Sequence, residues 1–138
     1  MAKIIFKTTK KLLPTALFDL YGSVGWTEAG ANSKKHGALL AKVYANSDLV
    51  FSAWDGKILV GTVRAITDKY AHGCIFGLAV RPEYQNQGIG GKLLEMCVRK
   101  YPKIHWGATI ENPQAAVFAE QGFVKSERDH LEKGVCPI

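Results

Sequence analysis

The chain has 138 residues, 47% of them hydrophobic and 22% charged, and a formal net charge of +6. This length predicts a single domain over residues 1–138, and the composition is typical of a soluble globular protein. No apolar run approaches the roughly 20 residues of a membrane span. The first residues have no long apolar stretch of the kind found in signal peptides, so we expect a cytoplasmic location.

The first third of the sequence predicts one strand and two helices. Residues 3–9 alternate between polar and β-branched side chains, which is typical of a strand. Pro14 opens a helix through residue 26 whose apolar face consists of Leu17, Leu20 and Tyr21. Residues 28–37 are polar and contain glycine, which predicts a loop, and residues 38–47 predict a second helix. Its apolar stripe is Leu39, Leu40, Val43 and Tyr44, and Asn46 closes it.

The middle of the sequence predicts a hairpin and a further strand. Residues 48–68 contain two β-rich runs on either side of Asp55 and Gly56, and an Asp-Gly pair between such runs favours a tight turn. Residues 74–80 predict the next strand. Pro82 ends that strand because proline cannot donate a hydrogen bond to a central ladder.

The last third predicts a helix, a strand, a helix and a final strand. A helix begins near Gly88 and places Leu93, Met96, Cys97 and Tyr101 on one face. Residues 103–110 predict a strand. Residues 112–122 predict a helix with Asn112 as N-cap, Pro113 in its first turn and Gly122 past its end, and with Ala115, Phe118 and Ala119 facing the core. A last strand starts at Phe123. The element order indicates a mixed α+β domain.

The segment "LAVRPEYQNQGIGGKLLE", residues 78–95, leads from a strand through a glycine cluster into a helix. Backbone N–H groups at such a helix start, with the positive end of the helix dipole behind them, favour an anion. A dinucleotide fingerprint would need glycine where Leu93 stands, and a P-loop would need a hydroxyl residue after Lys92. A turn that only reverses the chain is the alternative interpretation.

This segment also carries a family resemblance. Gln85, Gly88 and Gly90 match the pattern Q/R-x-x-G-x-G/A of the GNAT superfamily of acyl-CoA-dependent N-acyltransferases. The segments "LYGSVGW", "AWDGKILVGTVRAITD" and "ENPQAAVFAEQGF" resemble the first helix, the second and third strands, and the Asn-to-Gly-Phe segment of small members. The resemblance covers nearly the whole chain.

The resemblance implies a GNAT-like fold, with a mostly antiparallel sheet of six to seven strands and about four helices, and an acetyltransferase that uses acetyl-CoA. In relatives the loop and helix start bind the coenzyme A diphosphate, and the pantetheine arm pairs with the preceding strand. The N–H of Leu78 would then polarise the thioester carbonyl. The cofactor-binding residues implied here are Leu78, Ala79, Val80, Gln85, Asn86, Gln87, Gly88, Ile89, Gly90, Gly91, Asn112 and Phe118.

Two departures from the family pattern concern proton transfer. Phe118 stands where many relatives have a tyrosine that can protonate the leaving thiolate, and a phenyl ring has no proton to give. Relatives also carry a carboxylate on the strand before "LAV", whereas this chain has Cys74, Phe76 and Gly77 there. The general acid and base are therefore unassigned; the open candidates for the base are Glu28, His72 and Glu111.

The sequence also argues against several other kinds of ligand and partner. Basic residues are scattered apart from short clusters at 10–11 and 34–35, so we expect neither nucleic acid nor a membrane as a partner. The excess lysines either lie on the solvated surface without a specific role or attract a phosphorylated cofactor electrostatically. His36, His105 and His130 do not have the spacing of metal ligands, so we expect no metal site. Cys74, Cys97 and Cys136 have no CxxC spacing, which predicts reduced thiols.

The sequence leads to three alternative hypotheses about function. The first is direct transfer of acetyl from acetyl-CoA to a primary amine, and the second is a non-catalytic acyl-CoA-binding or sensing module on the same fold. The third, a small basic nucleic-acid-binding protein, depends only on net charge. The loop of residues 27–37 is expected to line the amine side, but it has no motif that identifies the amine. Whether the chain forms a homodimer is also left open.

Overall fold

A computed structural model describes residues 3–28, 30–108 and 115–124 of the chain. Within these ranges it has five β-strands and four α-helices. No helix in the described part is both long and apolar enough to cross a bilayer. The elements are β1 (Ile4–Lys7), α1 (Pro14–Ser23), α2 (Ser33–Ala45), β2 (Leu49–Asp55), β3 (Ile58–Thr67), β4 (His72–Val80), α3 (Ile89–Lys100), β5 (His105–Ala108) and α4 (Ala115–Glu120), with a 3₁₀ turn at Pro82–Tyr84 between β4 and α3.

The strands form one mixed sheet in the order β1-β2-β3-β4-β5. Neighbours are antiparallel up to β4, and β4 and β5 are parallel because α3 carries the chain back across the sheet. The predicted hairpin is confirmed: Asp55 pairs with Ile58 across a two-residue turn. Gly56 takes a φ of 58°, which a tight hairpin turn favours in glycine.

The mixed α+β class is confirmed, and the strand count differs from the six to seven expected. Five strands lie in the described residues. Phe123 and Val124, where a last strand was expected to start, are not in a strand. The remainder of that predicted strand lies outside the described residues.

Helices cover both faces of the sheet and divide the core in two. On one face α3 and α4 pack on the sheet; this cluster includes Val63, Ile75, Leu93, Cys97 and Phe118. On the other face α1 and α2 cover a cluster that includes Leu17, Leu40, Tyr44, Leu59 and Ala79. The strands in the middle of the sheet are therefore buried on both sides, which explains their nearly continuous apolar runs.

Two helix boundaries and one core residue differ from the sequence predictions. Helix α2 begins at Ser33, so the predicted loop was wrong over residues 33–37: the side-chain oxygen of Asn32 accepts a hydrogen bond from the Lys35 N–H (2.9 Å) and caps the helix there. Helix α1 ends at Ser23 rather than near Trp26. In α4, Phe118 is buried as expected but Ala119 is exposed.

Candidate functional site

The end of β4 is fixed by contacts with β3 and with the β2–β3 turn. The backbone N–H of Arg81 donates to the Val60 carbonyl (2.8 Å), and its side-chain Nε donates to the Leu59 carbonyl (2.8 Å). The hydroxyl of Tyr84 then donates to Asp55 Oδ2 (2.6 Å). This bond to a carboxylate raises the pKa of Tyr84, which therefore stays protonated and keeps the connecting segment against the hairpin.

Between Tyr84 and α3 the chain makes a tight turn. The side-chain amide of Gln85 donates to the Val80 carbonyl (2.9 Å), so this residue folds back over the end of β4. Asn86 and Gly88 both have positive φ, 62° and 82°. Gly88 is the N-cap of α3, and its carbonyl accepts the first helical bond from Lys92 (3.0 Å).

The first turn of α3 is suited to an anion. The N–H groups of the first residues of a helix have no partner within the helix, and here they belong to Ile89, Gly90 and Gly91. The first turn contains no acidic residue that would compete for the positive end of the helix dipole. A Cβ placed on Gly88 or Gly91 would meet no atom within 4 Å, so the surface over this turn is open.

A β-bulge interrupts β4 shortly before this turn. Thr62 pairs with Ala79 and Arg64 with Phe76, so the two residues Gly77 and Leu78 lie opposite Val63 alone. Gly77 has a φ of 62°, a left-handed conformation that glycine adopts at little cost. The bulge rotates the Gly77–Leu78 peptide relative to the rest of the strand.

These features line one cavity of about 720 Å³. Its walls come from the end of α1, the bulged end of β4, the turn into α3 and one side of α4. The lining residues in the described part are Ser23, Val24, Trp26, Leu78, Ala79, Val80, Pro82, Tyr84, Gln85, Asn86, Gly88, Ile89, Gly90, Gly91, Ala116, Val117 and Glu120.

A family model described as an acetyltransferase (GNAT) domain matches residues 46–125, which include this bulge, turn and helix start. The chain belongs to the GNAT family. A curated relative of the GNAT chain, the uncharacterised N-acetyltransferase ycf52 of Gracilaria tenuistipitata var. liui, is 26% identical over 111 residues, or 78% of this chain. The match spans 60% of the length of that relative.

Solved structures share the fold of this GNAT chain. A GNAT-family acetyltransferase from Streptococcus pneumoniae TIGR4 superposes with a TM-score of 0.75 at 21% identity, over 96% of this chain and all (100%) of that one. A predicted acetyltransferase from Clostridium acetobutylicum, solved with acetyl-CoA, superposes with a TM-score of 0.71 at 15% identity, over 96% of each chain. At these identities the likeness establishes the fold.

The cavity of the GNAT chain brings together most of the site residues expected from the sequence. Nine of them are in its lining: Leu78, Ala79, Val80, Gln85, Asn86, Gly88, Ile89, Gly90 and Gly91. Gln87 is exposed and is not in the lining; its amide donates to the Glu83 carbonyl (3.4 Å). Asn112 lies outside the described residues.

Phe118, which the resemblance implied as a cofactor-binding residue, is not among the residues that line the cavity. Its side chain is 2% exposed and belongs to the core cluster under α3, and its ring lies edge-on to that of Phe123 with the centroids 5.1 Å apart. The residues of α4 that do line the cavity are Ala116, Val117 and Glu120. Helical spacing explains the difference, because Phe118 projects from another side of the helix.

The structure also places the suggested proton acceptors. His72 is at the opposite end of β4 from Leu78 and pairs with His105, the ring centroids being 5.9 Å apart. Glu28 is exposed and is not in the cavity lining, and Glu111 lies outside the described residues. No group of three metal-ligating side chains occurs among residues 3–28, 30–108 and 115–124.

Sequence reasoning missed the wall contributed by the end of α1. Ser23, Val24 and Trp26 line the cavity, whereas the described residues of the 27–37 segment, expected on the amine side, do not. Trp26 is held by a backbone bond from its N–H to the Tyr21 carbonyl (2.9 Å) and by an edge-to-face contact with the Tyr21 ring at 5.1 Å. The sequence predicted a helix through Trp26, so the turn after Ser23 that brings the indole to the cavity was not predicted.

Proposed function

We propose that this protein is an acetyl-CoA-dependent N-acetyltransferase that transfers acetyl directly to a primary amine. The observation that carries the proposal is a single cavity, in a chain of the GNAT family, that joins an open helix start to a bulged strand end. The helix start suits the diphosphate of the cofactor, and the strand end suits its amide-containing arm. The acetyl-CoA in the Clostridium acetobutylicum structure supports the same choice of cofactor.

The residues at the start of α3 fit coenzyme A. The N–H groups of Ile89, Gly90 and Gly91 would bind the diphosphate, and a side chain at Gly88 or Gly91 would occupy open space over the turn. Gly90 is more enclosed, since a Cβ there would lie 3.6 Å from Val80 Cγ2 and 3.8 Å from Val117 Cγ1. The glycines therefore allow a phosphate to approach the backbone closely.

The strand side of the cavity would hold the arm and the reacting group. Acetyl-CoA supplies a thioester, whose acetyl group passes to the amine as the thiol is released. The backbone of Leu78, Ala79 and Val80 would pair with the arm, and the N–H of Leu78 would donate to the thioester carbonyl oxygen. The wall of Val24 and Trp26 would then face the amine.

Positioning accounts for most of the rate in this proposal. Holding two reacting groups together lowers a barrier by roughly 7–11 kcal/mol, against roughly 3–5 kcal/mol for the 10²- to 10⁴-fold effect of one acid or base. A coenzyme A thiol resembles cysteine, with a pKa of about 8.5, and leaves as thiolate near neutral pH without a dedicated proton donor. Glu120 lines the cavity and is exposed, so its carboxylate is open to an incoming ammonium group.

A thiol-release assay on a panel of amines tests the proposal. Purified protein with acetyl-CoA and each of a polyamine, an arylalkylamine, an aminoglycoside and a lysine peptide is expected to release free thiol with at least one of them. Cys74 is exposed and would react with a thiol reagent, whereas burial raises the pKa of Cys97 to about 12 and protects it. A Cys74→Ser variant reduces that background.

Calorimetry with acetyl-CoA separates the proposal from its rivals. Binding together with thiol release supports the transferase. Binding without thiol release on any amine supports the non-catalytic module on the same fold, and absence of binding overturns both.

A further inference from the structure

The charge of the cavity differs from the charge of the chain. The formal net charge of the chain is +6, yet the described residues that line the cavity include no lysine, arginine or histidine. Glu120 contributes the one charged side chain of this described lining. The positive potential in the cavity therefore comes from the backbone at the start of α3, and the side chain that faces a ligand there with a full charge is negative.

The charge of Glu120 has no stabilising partner in the fold. Glu120 is exposed and is the last residue of α4, where the partial negative charge of the helix end disfavours a carboxylate. The last turn of α4 has no basic residue. In the part of the chain that the structure describes, the one ion pair joins Arg99 to Glu95 (3.0 Å). The carboxylate of Glu120 thus acts on whatever occupies the cavity rather than on the fold.

Val117 relates Glu120 to the start of α3. A Cβ on Gly90 would lie 3.8 Å from Val117 Cγ1. Glu120 follows Val117 by three residues, so the two side chains share one side of α4, with Cβ atoms about 5–6 Å apart, and both line the cavity. The carboxylate therefore lies within roughly 10 Å of the first turn of α3. That distance is close to the Debye length of about 8 Å at physiological salt, so its charge acts on a phosphate bound there.

We propose that Glu120 repels the phosphates of coenzyme A, and so lowers the affinity of the site for acetyl-CoA and speeds the departure of the product. This inference rests on the proposed function. Acetyl-CoA and coenzyme A carry the same phosphates, so the carboxylate weakens the binding of both. Faster departure of coenzyme A frees the site for the next acetyl-CoA.

The position of Glu120 favours this role over recognition of the amine. The wall assigned to the amine, Val24 and Trp26, follows from the end of α1. Glu120 instead extends the side of α4 on which Val117 approaches Gly90, beside the N–H groups that would bind the diphosphate.

Glu120→Gln removes the charge and keeps the size of the side chain. At an ionic strength of about 0.01 M we expect the Kd for coenzyme A to fall by about three- to tenfold, as repulsion between one carboxylate and two phosphate charges across this distance predicts. The dissociation rate of coenzyme A should fall with it. Glu120→Lys should lower the Kd further. Both differences should shrink at about 1 M salt, where the Debye length is about 3 Å. Calorimetry measures the Kd and stopped flow measures the dissociation rate.

Two controls isolate the phosphates and the cavity. S-acetylpantetheine has the thioester arm without the diphosphate, so its Kd should be the same in wild type and in Glu120→Gln. Asp19→Asn makes the same change in net charge at an exposed residue of α1 that does not line the cavity, and the Kd for coenzyme A should be unchanged. Melts without ligand should show both Glu120 variants at least as stable as wild type, because the carboxylate leaves the end of α4.

An unchanged Kd for coenzyme A in both Glu120 variants, or equal tightening of coenzyme A and S-acetylpantetheine, would overturn the repulsion. A higher KM for the amine in Glu120→Gln, with an unchanged Kd for coenzyme A, would assign the carboxylate to the amine and overturn it as well. Failure of the proposed function has a different signature. Wild type that binds coenzyme A without releasing thiol refutes the transferase, and the Kd values still decide the repulsion; wild type that does not bind coenzyme A overturns both.

Discussion

At the scale of single residues, glycine determines how closely a ligand can approach the start of α3. Gly88 adopts a left-handed conformation to cap the helix. Gly90 has ordinary helical backbone, and its lack of a side chain leaves the space beside it open to a ligand. A side chain at Gly90 would lie between Val80 and Val117, in the wall of the cavity. The two glycines therefore serve different purposes although they stand two residues apart.

Gly90→Ala tests this division. We expect coenzyme A binding to weaken by about tenfold or more, roughly 1.4 kcal/mol, because the methyl group takes space next to the diphosphate. The fold should be as stable or up to about 1 kcal/mol more stable, since alanine favours a helix over glycine. Calorimetry and urea denaturation measure the two effects. Gly22→Ala in α1 is the matched control: its Cβ would also meet its nearest atom, Thr27 Oγ1, at 3.6 Å, and binding should be unchanged.

Asp68 fixes the turn between β3 and β4. Its Oδ1 accepts from the backbone N–H groups of Tyr70 (2.9 Å), Ala71 (2.7 Å) and His72 (3.0 Å). These bonds, led by the one from Ala71, lower the pKa of Asp68 from 3.8 to about 2. A lowered pKa means that the ionised carboxylate stabilises the folded state at pH values above 3.8, and that this stabilisation is lost as the pH falls towards about 2.

Asp68→Asn keeps a side-chain acceptor and removes the charge. The variant should be less stable than wild type at pH 7, and the gap should close between pH 3.8 and about 2 as the wild-type carboxylate becomes protonated. Thermal melts of both proteins across this range measure the gap. A difference in stability that is independent of pH would show that the charge has no part in holding the turn.

At the scale of secondary-structure elements, the cavity depends on how α1 and α2 pack. Pro14 contacts Gly37 near the start of both helices, and Tyr21 bonds to Tyr44 near their ends, so the helices run side by side in the same direction. Gly37 is buried, and a Cβ on it would lie 2.8 Å from the Pro14 carbonyl oxygen. This close approach places the end of α1, with Trp26 just beyond it, beside the end of β4.

Gly37→Ala should therefore separate the helices. The expected loss of stability is about 1–2 kcal/mol, because overpacking costs roughly 1–3 kcal/mol and better helix propensity offsets up to about 1 kcal/mol. Urea denaturation measures the loss, and Gly22→Ala again serves as the control for propensity alone. Stability equal to or above that of wild type would mean that the helices move apart at no cost.

At the scale of the whole molecule, the two layers of helices leave an opening where the carboxyl end of β4 meets α1, α3 and α4. The formal net charge of +6 favours an anionic ligand, and both coenzyme A and nucleic acid are anionic. The cavity favours the smaller of the two, since its backbone donors converge on one helix start.

The effect of each ligand on the stability of the fold distinguishes coenzyme A from nucleic acid. A ligand that binds only the folded chain, at 100 times its Kd, should stabilise the protein by about 2.7 kcal/mol. We expect acetyl-CoA to raise the Tm by several degrees and an oligonucleotide of equal phosphate concentration to leave it unchanged. The opposite ranking would support a nucleic-acid-binding protein.

The sequence by itself determined the features that depend on neighbours along the chain. The Asp55-Gly56 hairpin, the end of β4 before Pro82 and the glycine-rich start of α3 each follow from local backbone preferences, and the structure has all three. The resemblance carried by Gln85, Gly88 and Gly90 agrees with the matched family. These features could be predicted because turn geometry and helix capping act over a few residues.

Only the tertiary structure decided what meets across the fold. It placed Trp26 in the cavity wall, and it separated His72 from Leu78 by nearly the length of a strand. It also joined hydroxyls from α1, α2 and β3 on the carbonyl of Gly77. Each of these contacts connects residues far apart in sequence, and their direction is set by how helices pack on a twisted sheet, which no local pattern encodes.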